Sequence, residues 1–185
     1  RFSPQTVGPG EPAAALSEDR RSLVERLVPA PRVIVFGAGH VGSAIALAAA
    51  AAGFQVLVLD DRSEFADPSR FPPHISVSTA PAHDALGRFA ITAADAVVIA
   101  TRGHRHDALI LERVAPSSAS YVGLLGSRRK KSVVTKALAQ AGVPLEALER
   151  VRVPVGLAIG AVTPEEIAVS VVAELIAWRR GVATA

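Results

Sequence analysis

Gly37, Gly39 and Gly42 follow an apolar run at residues 33–36 with the spacing Gly-x-Gly-x-x-Gly. Such a cluster grips phosphate when a strand enters it and a helix leaves it. The first glycine permits a tight turn, the second lets backbone approach a pyrophosphate, and the third lets the helix pack on its strand. Backbone N–H groups at the helix start, where Val41 lies, then face the anion. His40 sits inside the cluster, where the positive end of a helix dipole favours the neutral imidazole. It either hydrogen-bonds the neighbouring loop or donates to a phosphate or ring of a ligand. About twenty residues on, the next apolar run ends at Asp60, where a carboxylate accepts hydrogen bonds from ribose hydroxyls. Asp60 repels a ribose 2′-phosphate, and Arg62 in the run Asp60-Asp61-Arg62 partly offsets that repulsion. NAD or another adenine nucleotide is therefore expected in preference to NADP.

Two further stretches carry polar chemistry. TRGHRHD (101–107) supplies Thr101, Arg102, Gly103, His104 and His106, and GSRRKK (126–131) supplies Gly126, Ser127, Arg128 and Arg129. A helix opened by Ser127 or Gly126 with four basic residues in its first turn runs against its own dipole, and a bound anion relieves the conflict. The alternative is that these side chains point into water. The histidines of HRHD invite a zinc reading, but no thiolate or His-x-x-x-His pair accompanies them, and no metal site is assigned. Asp107 reads as the N-cap of the helix that follows. The sequence has no Gly-x-Ser-x-Gly elbow, Walker lysine or zincin helix, so no catalytic residue is assigned. His104 as a general acid is the one alternative.

The elements that must position these residues alternate regularly. Strand-like runs at 32–36, 55–60, 74–79, 95–101, 119–125 and 150–155 are separated mostly by helical patterns at about 40–52, 82–89, 105–114, 128–141 and 164–180. That order predicts an α/β fold, a Rossmann-like, doubly wound parallel sheet in a single domain over residues 31–182. Ligands of such a sheet bind beyond the carboxyl ends of its strands, which collects the glycine turn and both polar stretches at one edge. Residues 1–30 read as a lead-in with a short amphipathic helix at 17–28. Thr163, Pro164 and Glu166 form a capping box for the last helix, whose nearly all-apolar body either packs deep or also forms a homodimer contact.

Composition agrees with that architecture. The chain has 185 residues, half of them hydrophobic and only 4% aromatic, so Val, Ile, Leu and Ala must build the core. A formal charge of +3 is too small to indicate nucleic acid, while the clustered basic residues suit a local anion. Without cysteine there is no disulfide, thiolate site or cysteine nucleophile. No run spans a bilayer and none resembles a secretory leader, so no membrane is expected and a cytoplasmic protein is the default. The chain begins at Arg1 and has no Met, which leaves open that it is a piece of a longer protein.

In chain order, FGAGHVG (36–42), DDRSEFADPSRFP (60–72), TRGHRHD (101–107), YVGLLGSRRKK (121–131) and PVGLAIGAVTPEEIAVSVVAELIA (154–177) resemble the Rossmann-type domain of the XdhC/CoxI family, the xanthine dehydrogenase accessory factors. The resemblance implies a maturation role: binding the molybdenum cofactor (molybdopterin) or a related nucleotide, assisting its sulfuration, and delivering it to a molybdenum hydroxylase such as xanthine dehydrogenase. It explains a dinucleotide fold with no substrate domain. The implied partners are that hydroxylase, an N-terminal XdhC/CoxI domain on another chain, and a second copy of this chain. Residues 1–30 are too short to supply the extra N-terminal domain of longer members, and Ala158 stands in GLAIG where relatives commonly carry aspartate. Two other readings stay open: an NAD-dependent oxidoreductase acting alone, and a nucleotide-sensing regulatory domain.

Overall fold

The computed structural model describes residues 14–16, 23–25 and 30–183, apart from the side chains of residues 14–16, 23–25, 82, 83 and 85 and of His104 and Arg128. The chain divides at Ala30 and Pro31 into two units. In the first, strands β1 (Ala14–Leu16) and β2 (Leu23–Glu25) pair antiparallel, with Leu16 opposite Leu23. Part of the helix expected at 17–28 is therefore strand, and the rest of that stretch lies outside the described residues. A helix so short is marginal on its own, and a backbone ladder satisfies the same groups.

The second unit is a five-stranded parallel sheet in the order β5-β4-β3-β6-β7, formed by β3 (Arg32–Phe36), β4 (Gln55–Asp60), β5 (Ile75–Thr79), β6 (Asp95–Ile99) and β7 (Tyr121–Leu124). Strand order reverses between β3 and β6, which opens a crevice beyond their carboxyl ends. The sixth run, expected at 150–155, forms only a single bridge between Gly123 and Arg152. Arg152 N–H donates to the Val122 carbonyl at 2.9 Å, but Pro154 has no N–H with which to extend a ladder.

Alternation along the strands divides the core. Val33, Val35, Val56, Val58 and Val98 face α1 (His40–Ala51) and α6 (Pro164–Arg179). Ile34, Phe36, Leu57, Leu59, Val97 and Ile99 face the other layer, built from α2 (Ala82–Arg88), α3 (His104–Val114), α4 (Arg128–Gln140) and α5 (Leu145–Glu149). Because both faces are covered, β3, β4, β6 and β7 read as nearly unbroken apolar runs, whereas the edge strand β5 alternates apolar and polar residues. The capping box of α6 is present: Glu166 N–H donates to Thr163 Oγ1, and Glu166 Oε2 accepts from Thr163 N–H at 3.0 Å. Its deep packing is anchored by Glu174, which is buried and accepts from Tyr121 Oη at 2.6 Å, Gly156 N–H at 2.7 Å and Arg152 Nη1 at 2.8 Å. Among the described residues, no helix is long and apolar enough to cross a membrane.

Candidate functional site

The glycine cluster closes a turn from β3 into α1. Gly37 has φ of +103°, and a Cβ there would strike the Ala100 carbonyl; a Cβ on Gly42 would strike the Gly37 carbonyl. Gly39 is different, since a Cβ on it meets nothing within 4 Å. Two glycines thus serve the fold, while the middle one leaves open space in front of a helix start that has no side-chain cap and no acid in its first turn. Such a terminus presents N–H groups to an anion. His40, the first residue of α1, is exposed, and Val41 leans on the core.

The segment after β4 braces this turn. Asp60 Oδ2 accepts the Ala38 N–H at 2.7 Å and Arg62 Nη2 at 3.0 Å, while Oδ1 accepts Arg62 N–H at 3.0 Å and Arg62 Nε at 2.9 Å. From the other side, Arg70 Nη1 donates to the Ala38 carbonyl at 3.2 Å and to the Phe65 carbonyl at 2.6 Å, and Ser43 Oγ donates to the same Ala38 carbonyl at 2.8 Å. The guanidinium of Arg62 lies 3.6 Å from the Phe65 ring centre and that of Arg70 lies 5.2 Å from it. Burial alone would push the Asp60 carboxyl up; the Arg62 side chain and the Ala38 and Arg62 backbone N–H groups outweigh it and hold the group below the ordinary carboxylate range.

Between these elements and α3 lies a cleft of about 270 Å³ at the carboxyl ends of β3, β4 and β6. Phe36, Leu59, Ala80, Pro81, Leu109 and Ile110 make it mainly apolar, and Gly37, Asp60, Asp61, Arg62, Thr101, Arg102 and His106 supply the polar lining. An apolar slot with charged groups at its edge suits a flat heterocycle that carries polar substituents. His106 Nε2 stands 3.8 Å from Asp61 Oδ2. Among the described residues, no three His, Asp or Glu side chains cluster as metal ligands would.

The structure distributes the expected site residues unevenly. It brings Gly37, Asp60, Asp61, Arg62, Thr101 and Arg102 to the cleft wall, with Gly39, His40, Val41 and Gly42 in the adjoining turn. Gly103 is the N-cap of α3, with φ of +154°, and begins the helix at His104. Asp107 is accordingly not the cap. It lies inside the first turn, fully buried, where Thr101 Oγ1 donates to it at 2.6 Å and Lys130 Nζ stands 2.6 Å from its Oδ2. Gly126, Ser127 and Arg129 do not line the cleft. Ser127 caps α4, Arg129 is exposed, and Gly126 is the residue whose missing Cβ leaves room for the Lys130 stem.

The dipole conflict at α4 is therefore met largely from within, because Lys130 turns inward to Asp107 and the Leu125 carbonyl and Lys131 reaches the Val151 carbonyl at 3.0 Å. The side chains of His104 and Arg128 lie outside the described residues. Sequence reasoning missed the apolar slot and the bracing role of Arg70. His106, Leu109 and Ile110 carried a usable signal, since their spacing puts them on one face of α3.

Known proteins resemble this chain in sequence and in fold. The family model described as the XdhC Rossmann domain matches residues 33–175. A Bacillus subtilis protein, named as a probable subunit of xanthine dehydrogenase, is 41% identical over 161 residues, 87% of this chain and 47% of that protein. An uncharacterised Escherichia coli protein, YqeB, is 39% identical over 147 residues, 79% of this chain and 27% of its own length. A crystal structure described as a xanthine dehydrogenase from Bacillus halodurans superposes with a TM-score of 0.73 at 32% identity, covering 86% of this chain and 46% of that one. The chain spans less than half the length of each of these relatives.

Proposed function

Because the chain belongs to the XdhC family through its Rossmann domain, we propose that it serves the maturation of a molybdenum hydroxylase of the xanthine dehydrogenase type. In this reading it holds the molybdenum cofactor, or a related nucleotide, in the cleft beyond β3, β4 and β6 and presents it for sulfuration or insertion. The observation that carries the proposal is an apolar slot walled in part by Gly37, followed in the same turn by an uncapped helix start whose N-cap, Gly39, has open space at its Cβ position.

The donor set fits a phosphate-bearing heterocycle. Backbone N–H groups of the α1 start hold the phosphate, Phe36, Leu59 and Ile110 cover a flat ring, and Arg62 and Arg102 flank it with positive charge. Asp60 and Arg70 act one step removed, by fixing the turn through Ala38. When bound, the cofactor supplies the redox-active metal of the receiving enzyme; the chain's own groups bind and orient. This chain has no cysteine with which to carry sulfur as a persulfide, so its part in sulfuration is presentation. The hydroxylase, a partner N-terminal domain on another chain and a second copy of the chain are the partners the proposal names.

Anaerobic titration of the purified protein with molybdopterin, read by quenching of the single tryptophan, Trp178, tests it. Saturable binding is expected. Tight binding of NAD with none of molybdopterin would return the protein to the oxidoreductase reading.

A further inference from the structure

We infer that the carboxylate reading the sugar hydroxyls of a bound ribonucleotide is Asp61, facing His106, and that Asp60 is withdrawn from the ligand. The inference rests on the nucleotide arm of the function proposed above.

An ionised carboxylate offers about four acceptor positions. Those of Asp60 are matched by the Ala38 N–H, the Arg62 N–H and two guanidinium donors of Arg62, all within 2.7–3.0 Å. Asp60 is also buried, and its partner guanidinium is pinned by the Phe65 ring. A diol could reach Asp60 only by displacing Arg62 and breaking a bidentate, charge-assisted pair.

Asp61 stands one residue further on and has the opposite character. Its side chain is 42% exposed, it lines the cleft, and its neighbours Arg62 Nε at 4.0 Å and His106 Nε2 at 3.8 Å both lie beyond hydrogen-bond reach. Its acceptors face outward unused by these neighbours. A hydroxyl oxygen at an ordinary distance of about 2.8 Å from both Asp61 Oδ2 and His106 Nε2 closes a triangle on their 3.8 Å base. In that position it donates to the carboxylate and accepts from the imidazole N–H. The base of the same nucleotide then enters the slot between Pro81 and Leu109.

The test compares ADP with 2′-deoxy-ADP by calorimetric titration of wild-type protein and of Asp61→Asn. Wild type is expected to prefer ADP by roughly tenfold or more, the scale of a hydrogen bond to a charged group. Asp61→Asn should reduce that preference to about twofold or less, with the melting temperature changed little because the half-exposed side chain meets Arg62 and His106 only at 4.0 and 3.8 Å. Preference retained in Asp61→Asn overturns the inference while leaving nucleotide binding intact. Wild-type protein that binds neither nucleotide overturns the nucleotide reading and this inference together.

Discussion

Replacing Asp60 by asparagine isolates the charge that holds the glycine turn. The amide has the same shape but only one acceptor oxygen. Turned toward Ala38, it sets its NH2 against the Arg62 guanidinium; turned the other way, it leaves the Ala38 N–H without an acceptor in a buried position. Removing one partner of a buried ion pair costs about 3–5 kcal/mol. Arg62 is 17% exposed and recovers part of that by turning to water, so the expected loss is about 2–4 kcal/mol. That corresponds to a melting temperature lower by about 5–15 °C for a domain of this size.

Urea unfolding followed by the fluorescence of Trp178 measures it, with an unchanged slope and a lower midpoint. The sign of the pH dependence follows from the depressed Asp60 pKa. The charge stabilises the fold fully above the unfolded carboxyl value of about 3.9, and that contribution is lost as pH falls through the lower folded value. The gap between wild type and Asp60→Asn should therefore be full at pH 7 and shrink below about pH 4. A gap under about 1 kcal/mol at pH 7, or one that persists undiminished at pH 3, refutes the reasoning.

The glycines should separate by role. Gly42→Ala drives a Cβ into the Gly37 carbonyl and should cost about 1–3 kcal/mol in the same urea assay. Gly39→Ala, at an ordinary φ of −67° with nothing in its way, should leave stability within about 0.5 kcal/mol while weakening ADP roughly tenfold by filling the approach to the helix start. Lys130→Met strands the buried Asp107 carboxylate and should lower stability by about 3–5 kcal/mol, with most of it restored by adding Asp107→Asn; no restoration would argue against the pair.

The sheet was legible because its signals are local. The runs that became β3, β4, β6 and β7 are mostly apolar, the run that became β5 alternates apolar and polar residues, and all five paired as strands within a residue or two of the expected ends. The sixth failed at Pro154, a residue whose missing N–H is itself visible in the sequence. The glycine turn was equally readable, since its spacing is dictated by backbone collisions at Gly37 and Gly42.

What the sequence left open is which polar partner each charge takes. Asp60 and Arg62 are two residues apart, yet nothing in their order says that they satisfy each other rather than a ligand. Asp107 and Lys130 belong to different helices and meet only after the sheet brings those helices together. The same is true of the apolar slot, whose walls come from strand ends, the turn after β5 and one face of α3.

The double hold on Ala38 has a kinetic consequence. With its N–H fixed by Asp60 and its carbonyl by Arg70 and Ser43, the turn already has its binding shape before a ligand arrives. Little ordering remains to be done on encounter. Differences in affinity among ligands of this cleft should therefore show up in how long they stay rather than in how quickly they enter.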